Sequence, residues 1–191
     1  MGKKLESLRN VFWGIKIFPH ILQYKKHKEL NHDLILYTRG KIGIVAFIET
    51  MRRQPTFRNL FYYRVGRHYR MLTSWLAPDV KSMHIYGVKE IGYGAHFEHS
   101  FWTYFNAEKI GNNFYALHNV TIGKGNDGVP TIGDNVRIYA NAVIFGKIKI
   151  GNNVRIGAGA VVNKNTPDNC TIVGNPAYIT KLNGEKVHIK L

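Results

Sequence analysis

The middle of the chain carries apolar residues at every sixth position. Ile110, Ala116 and Ile122 share one register, and after a short insertion the register resumes. The resumed positions are Ile132, Ile138, Ile144, Ile150, Ile156 and Val162. A helix repeats every 3.6 residues and a strand every 2, so neither produces this pattern. A six-residue period is typical of a parallel β-helix, in which each hexapeptide forms one short strand and a turn.

The register also indicates where the coils are interrupted. Ile122 and Ile132 lie ten residues apart instead of six, so we expect a loop of four extra residues around residues 124–130. Loops inserted at coil corners commonly line the functional face. Towards the N-terminus, Ile91, Phe97 and Thr103 are expected to share the register, with a one-residue slip before Ile110.

Residues 1–82 have a different pattern, with aromatic residues among Lys and Arg and apolar residues at helical spacing. We predict three or four helices there, broken at Pro19, Gly40, Pro55 and Pro78. The predicted organisation is a helical region at 1–82, a β-helix at 83–180 and a tail at 181–191. The fold class is therefore mainly β, with an N-terminal α-helical region.

Two interpretations of the helical region remain open. It caps the open end of the β-helix, because a solenoid needs its terminal core covered. Alternatively it rests on a membrane surface, as basic aromatic helices do. The residues that favour membrane contact are Lys3, Lys4, Arg9, Lys16, Lys25, Lys26 and Lys28, with Trp13 and Phe18.

Composition narrows the class of protein. The chain has 191 residues and a formal net charge of +15, which predicts attraction to anionic partners. No nucleic-acid-binding motif is recognisable, so nucleic acid is not an expected partner. No segment is apolar enough to span a bilayer, and Glu6 and Arg9 argue against a cleaved signal peptide. The single cysteine, Cys170, is expected to be buried and fits a reducing compartment. We therefore expect a cytoplasmic protein, with membrane association as an option.

Three motifs carry a resemblance to a known family. They are AHFEHS at 95–100, HNVTIGKGNDGVPTIGDNV at 118–136 and IGAGAVVNKNTPDNCTIVGNPA at 156–177. The chain resembles the hexapeptide-repeat acyltransferases, and within them the serine acetyltransferase-like branch. That branch includes enzymes that acetylate serine and relatives that O-acetylate sugars of surface polysaccharides. FRNLFYYRVG at 57–66 resembles the segment that precedes the repeats in the second group. The resemblance implies a left-handed β-helix, a homotrimer and acetyl-CoA as cosubstrate.

Acetyl transfer to a hydroxyl needs a base, and histidine is suited because its usual pKa lies near neutral pH. The resemblance implies that His99 is the base and that Glu98, the acid of the family's acid–His pair, is a second catalytic residue. His118, Asn119 and Val129 are expected to contact the substrate. His96 is expected at a solvated corner. The remaining histidines expected at the surface are His20, His27, His32, His68 and His188. No His, Cys and Asp residues have metal-ligand spacing, so no metal site is expected.

The family holds the pantetheine arm of the cofactor in a groove between neighbouring subunits, where small residues let backbone amides approach. The candidates for this groove are Gly123, Lys124, Ala140, Gly146, Ala158 and Gly159. The cations expected near the nucleotide phosphates are Arg155, Lys164 and Lys181. Tight coil corners need Gly and Ala even where no cofactor binds, so a purely structural role for these small residues stays open.

Two departures from the serine enzymes concern the acceptor. Val129 precedes Pro130 where those enzymes carry a histidine that binds the amino acid. His84 stands fifteen residues before His99, where they carry an aspartate that orients the base. The first hypothesis is therefore an O-acetyltransferase acting on a sugar hydroxyl of a surface polysaccharide or its precursor. Serine O-acetyltransferase of cysteine biosynthesis is the second, and a non-catalytic β-helix scaffold is the third.

Overall fold

The computed structural model describes residues 2–191, with side chains from Leu5 onward. The chain divides into two compact units, and the boundary between them falls between Val80 and Lys81. The side chains of Lys3 and Lys4, invoked for membrane contact, lie outside the described residues.

The first unit is helical. Its helices are α1 (Gly2–Lys16), α2 (Phe18–Lys26), α3 (Leu30–Thr38), α4 (Ile44–Arg53), α5 (Pro55–Val65) and α6 (Arg67–Thr73). The prediction of three or four helices is wrong in number, because single residues such as Ile17 and Gly66 separate consecutive helices. Gly40 lies between α3 and α4 and Pro78 follows α6, as predicted, whereas the breaks at residues 27–29 and at Gly66 were not predicted. Pro19 lies in the first turn of α2, where its missing N–H costs nothing, and Pro55 begins α5.

The core of the helical unit is aromatic and contains buried polar groups. Phe47 is fully buried and stacks on Tyr24 at 4.4 Å between ring centroids. Asp33 is fully buried and accepts two hydrogen bonds from Arg64, at 3.0 and 3.1 Å. This bidentate pair links α3 to α5, since a buried charge is tolerated only with such a partner.

His20 lies inside the helical unit, so its prediction as a surface residue is wrong. Its Nδ1 lies 2.8 Å from the Tyr69 hydroxyl and its Nε2 lies 2.9 Å from the Tyr62 hydroxyl. Tyr62 also donates to the Ala77 carbonyl at 3.0 Å, so it receives its hydrogen bond from a neutral imidazole protonated at Nε2. Burial lowers the pKa of His20 to about 4. Helical spacing on α2 cannot reveal that α5 and α6 cover this position.

The second unit is a left-handed parallel β-helix of about five coils, as predicted. Face A contains β1 (Met83–His84), β4 (Thr103–Phe105), β7 (Thr121–Gly123), β10 (Val143–Phe145) and β13 (Val161–Val162). Face B contains β2 (Glu90–Ile91), β5 (Lys109–Ile110), β8 (Thr131–Ile132) and β11 (Lys149–Ile150). Face C contains β3 (His96–Phe97), β6 (Tyr115–Ala116), β9 (Arg137–Ile138), β12 (Arg155–Ile156) and β14 (Cys170–Val173).

The six-residue register is the core of the β-helix. All nine register positions from Ile110 to Val162 are at most 1% exposed, and they pair across neighbouring coils. The predicted loop at 124–130 joins β7 to β8 and leaves Ile122 and Ile132 both inside. After β14, the antiparallel strands β15 (Tyr178–Leu182) and β16 (Glu185–Lys190) extend face C. Cys170 is buried, as expected.

The first full coil departs from the predicted register. Phe105, and not Thr103, pairs with Ile122. Phe97 and Phe105 are thus eight residues apart, whereas Ala116 and Ile122 in the next coil are six apart. The prediction of a single slip after Thr103 is wrong, because six residues separate Phe97 from Tyr104, whereas four separate Ala116 from Thr121, the residue that pairs with Tyr104. This extended corner, residues 98–103, carries His99.

Candidate active site

His99 and His118 lie on neighbouring coils at the corner where the chain passes from face C to face A. We call this edge, which continues through Ala140 and Ala158, the histidine corner. The strands before it pair in register, Phe97 with Ala116 and Ala116 with Ile138. Backbone bonds join the successive corners: Glu98 N–H donates to the Ala116 carbonyl at 3.0 Å, and Gly159 N–H donates to the Ala140 carbonyl at 2.9 Å.

The backbone of the extended corner turns the His99 side chain outward. His99 is exposed and adopts a left-handed φ of 51°. Ser100 is fully buried, and its hydroxyl donates to the Ala116 carbonyl at 2.8 Å. Phe101 N–H donates to the His99 carbonyl at 2.7 Å. Because Ser100 is held inside the coil directly after His99, the imidazole of His99 faces outward.

His118 lies one coil further along the same corner and is also exposed. Asn119, with φ of 55°, completes this turn, and its N–H donates to the Phe101 carbonyl at 2.9 Å. The Asn119 side-chain amide donates to the Asn141 side chain of the next coil at 2.6 Å. Two of the three substrate-contact candidates, His118 and Asn119, thus lie beside His99, although Asn119 uses its amide group to connect the coils. The third, Val129, lies at another corner.

The Glu98 side chain contacts residues on face C of the β-helix. Its carboxylate accepts a hydrogen bond from the Tyr115 hydroxyl. Burial, together with this bond to Glu98, raises the pKa of Tyr115, so the phenol remains a donor. The carboxylate next to His99 in sequence therefore lies on face C, with Tyr115.

His96 belongs to the same set, and its prediction as a solvated corner residue is wrong. It lies half-buried on β3, with its ring 5.5 Å from that of Tyr115. The Arg137 guanidinium covers the Tyr115 ring at 5.5 Å. Burial lowers the pKa of His96, Glu98 opposes this effect, and Arg137 and His99 add to it. His96 is therefore mainly neutral at pH 7.

Sequence reasoning missed this cluster of His96, Glu98, Tyr115 and Arg137. A signal for three of its members was present, because His96, Tyr115 and Arg137 each precede an inward register residue. They therefore occupy equivalent outward positions on successive coils of face C. Only the position of Glu98 beyond the strand end required the folded corner.

The structure distributes the small cofactor candidates over two corners that border face A. Ala140, Ala158 and Gly159 lie on the histidine corner, Gly123 ends β7, and Lys124 and Gly146 lie on the corner between faces A and B. A Cβ on Gly125 would come 2.7 Å from the Gly146 Cα, so this glycine is required by packing. A Cβ on Gly123 would meet only Thr121, at 3.8 Å, so nothing in its surroundings demands a glycine.

The basic candidates are divided between two parts of the β-helix. Arg155 pairs with Arg137 and with Thr171, and Thr171 pairs with Lys181, so these cations share the outer surface of face C. Lys164 follows β13, at the other edge of face A. The structure therefore brings Arg155 near Lys181 and separates both from Lys164. Within the described residues, no group of three or more His, Cys, Asp and Glu side chains is arranged to hold a metal ion.

The structure also shows where Val129 and His84 lie, the two residues that differ from the serine enzymes. Val129 is half-exposed in the inserted loop, at the corner opposite His99 across face A. His84 projects from β1 on face A, with its ring 6.1 Å from that of Tyr104.

Comparisons with known proteins agree with this architecture. A family model described as bacterial transferase hexapeptide (six repeats) matches residues 130–164. The putative colanic acid biosynthesis acetyltransferase WcaB of Escherichia coli (strain K12) is 29% identical over 179 residues, covering 92% of this chain and 97% of that protein. Serine acetyltransferase 3, mitochondrial, of Arabidopsis thaliana is 50% identical over 72 residues, covering 36% of this chain. The chain spans only 18% of the length of that plant protein.

A solved structure gives the same picture. Neisseria gonorrhoeae serine acetyltransferase in complex with serine superposes with a TM-score of 0.66 at 28% identity, covering 86% of this chain and 73% of that one. The resemblance to hexapeptide-repeat acyltransferases that was drawn from the sequence is confirmed. The chain is thus a hexapeptide-repeat protein that is similar, in sequence and in fold, to serine acetyltransferases and to the acetyltransferase WcaB.

Proposed function

We propose that the protein is an acetyl-CoA-dependent O-acetyltransferase whose acceptor is a sugar hydroxyl of a surface polysaccharide or its precursor. The observation that carries the proposal is the outward presentation of His99 by the buried Ser100 anchor, one coil from His118. A base displayed on a rigid edge beside a second polar side chain is suited to positioning a hydroxyl for direct attack.

In the proposed mechanism, an imidazole nitrogen of His99 takes the proton of the acceptor hydroxyl as its oxygen attacks the thioester carbonyl. A backbone N–H at a coil corner stabilises the tetrahedral oxyanion. Collapse of this intermediate breaks the carbon–sulfur bond, and the departing thiolate receives the proton from His99. The acetyl ester and free CoA are the products, and no covalent acetyl-enzyme is formed.

The choice of a sugar over serine rests on two kinds of support. Val129 and His84 replace the side chains that the serine enzymes use for the amino acid and for orienting the base. The E. coli relative, which aligns over 97% of its length, is named as a putative colanic acid biosynthesis acetyltransferase and not as a serine acetyltransferase. Serine O-acetylation is the alternative, supported by the plant and Neisseria relatives.

The activity can be tested by following free thiol in mixtures of acetyl-CoA with nucleotide sugars, oligosaccharides or serine. We expect thiol release with a sugar acceptor and its loss in His99→Ala, with the assembly intact. His68→Ala, which removes an exposed histidine of the helical unit, is the matched control. Full turnover in His99→Ala would exclude this base, turnover with serine alone would favour the amino acid, and no CoA binding would favour a scaffold.

We also propose that the protein is a cytoplasmic homotrimer whose α1 contacts an anionic membrane surface. Within the described residues, no helix is long and apolar enough to cross a membrane. However, α1 exposes an apolar stripe formed by Leu5, Leu8, Phe12 and Ile15, each more than half exposed. Exposed patches of this size mark contact surfaces. The neighbouring exposed cations are Arg9, Lys16, Lys25, Lys26 and Lys28, and their charge favours anionic lipid over a second copy of this basic chain.

Sedimentation with vesicles tests this contact. We expect binding to phosphatidylcholine vesicles that contain phosphatidylglycerol, and its loss in Ile15→Glu. Leu72→Glu is the control, because Leu72 is equally apolar and 75% exposed but lies on α6. If Ile15→Glu instead changes the oligomeric state in solution without lipid, then the stripe covers another copy.

A further inference from the structure

An open cavity of about 410 Å³ lies on face A next to the histidine corner. Its walls come from two adjacent coils, and its lining residues are Lys81, Ser82, His84, Trp102, Thr103 and Tyr104. Two large aromatic side chains and the His84 imidazole surround it, and no carboxylate is among the lining residues. The cavity begins three residues after His99.

Trp102 has an unusual backbone conformation. Its φ of 56° is left-handed, a region that bulky residues rarely adopt because Cβ crowds the following carbonyl. The side chain is 77% exposed, so the core of this unit gains no packing from it. A strained backbone that displays a large, mostly exposed aromatic side chain suggests a role in binding.

The contacts around Trp102 explain how this conformation is maintained. Thr103 is buried, its hydroxyl donates to the Ser100 carbonyl at 3.1 Å, and its N–H donates to the Ser82 carbonyl at 3.1 Å. Ser100 is itself tied to Ala116 in the next coil. Trp102 therefore lies between two anchored residues, and the same anchors fix His99 on the other side of Ser100.

We propose that Trp102 and Tyr104 form the acceptor subsite and hold a pyranose ring by stacking on its C–H face. The inference rests on the proposed function and names the site of its acceptor. The negative face of an aromatic ring attracts polarised C–H groups. His84 and Ser82 line the cavity edge, within reach of ring hydroxyls, and Lys81 adds a cation for sugars that carry a carboxylate. Serine has no such apolar face, so an aromatic subsite favours a sugar acceptor.

The direct test is saturation-transfer NMR with methyl glycosides of a hexose, an N-acetylhexosamine and a uronic acid. The wild-type protein is expected to saturate at least one of them. Trp102→Ala should weaken the interaction about tenfold, as expected for the loss of a stacked ring. Trp102→Phe, which retains a ring, should stay near wild type. Absence of any signal with the wild-type protein, or an equal signal in Trp102→Ala, overturns the proposal.

A glycine variant separates binding from folding. Trp102→Gly removes the ring and also relieves the left-handed strain, so it should melt at a higher temperature than Trp102→Ala while binding the glycosides equally poorly. If Trp102→Gly restores glycoside binding, then the ring is not the contact, and the proposal is wrong.

Two rival roles for the aromatic residues give distinct outcomes. If they stack on the adenine of CoA, adenosine 3′,5′-bisphosphate will displace the glycosides and lose its own signal in Trp102→Ala. If they cover another subunit, Trp102→Ala will change the oligomer size. Either result overturns the proposal. Failure of the proposed function appears separately, as glycoside binding that depends on Trp102 without thiol release from acetyl-CoA.

Discussion

The helical unit and the β-helix use apolar residues in opposite ways. In the β-helix, every register residue from Ile110 to Val162 is buried against its equivalent in the next coil. In the helical unit, Phe12 and Ile15 repeat with helical spacing but are 70% and 71% exposed. A regular apolar pattern therefore indicates which residues share a face, and it does not by itself indicate that the face is covered within its own unit.

The two units also differ in whether they bury ionisable side chains. The helical unit buries ionisable groups, including Asp33 with Arg64, and His20 with two tyrosines. The β-helix keeps its charges on outer faces, where exposed ion pairs such as Lys89 with Glu108 join neighbouring coils, and one of its corners is connected by neutral amides. Asn113, Asn135, Asn153 and Asn169 all have a left-handed φ and stack at one corner, and each of the first three donates its side-chain amide to the next. The helical unit should thus be sensitive to charge and pH, and the β-helix to loss of volume.

The largest effect is expected for Arg64→Met in the helical unit. It leaves the fully buried Asp33 without its bidentate partner, which costs about 3–5 kcal/mol of unfolding free energy. Urea unfolding followed by helical circular dichroism measures the loss. Asp33→Asn combined with Arg64→Met should recover part of it, because the double variant buries no charge. If Arg64→Met lowers the free energy of unfolding by less than about 1 kcal/mol, then the helical unit does not depend on its buried charges, and the two units do not differ in this respect.

The next test compares one substitution in both units. Ile144→Ala empties a fully buried position between two coils and should cost about 2–5 kcal/mol. Ile15→Ala truncates the same side chain on exposed α1 and should change stability by less than about 0.5 kcal/mol. Thermal unfolding of both variants gives the comparison. A large cost for Ile15→Ala would mean that α1 packs against another subunit in solution.

The pH dependence of the helical unit tests the role of His20. The folded pKa of about 4 lies below the ordinary 6.5, so the unfolded chain binds the proton more readily. The stabilisation is complete above pH 6.5 and is lost as the pH falls from 6.5 to about 4. Once this contribution is fully lost, the free energy of unfolding is lower by about 3 kcal/mol.

The measurement is urea unfolding at several pH values, followed by the helical signal. His20→Gln should be less stable at pH 7 and show a flatter pH profile, because Gln does not titrate. His68→Gln, at an exposed position, should retain the wild-type profile. An unchanged slope in His20→Gln would show that other groups cause the acid sensitivity.

The smallest effect is expected in the amide ladder of the β-helix. Asn135→Ala removes a hydrogen bond to each neighbouring coil and places alanine at φ of 57°, which should cost about 1–3 kcal/mol. Asn135→Gly loses the same hydrogen bonds without the backbone strain and should cost less than the alanine variant. Equal costs for the two variants would show that strain plays no part at this corner.

Much of the β-helix was determined by the sequence alone. Each coil repeats one local geometry, so the six-residue register, the inserted loop and the family resemblance can be read without knowing which residues meet across coils. The positions of His99 and His118 on one corner follow from the same register, and their catalytic roles stay predictions. The helix breaks at Pro19 and Pro55 were equally predictable, because proline acts through its own backbone.

Only the tertiary structure decided the features that depend on contacts between distant segments. His20 is buried because α5 and α6 pack over it, and Phe105 replaces Thr103 in the register because the first coil accommodates a longer corner. That corner places Glu98 against Tyr115 instead of His99, and exposes Trp102 in a left-handed conformation. Such outcomes reflect packing and hydrogen bonds across coils, which local periodicity does not encode.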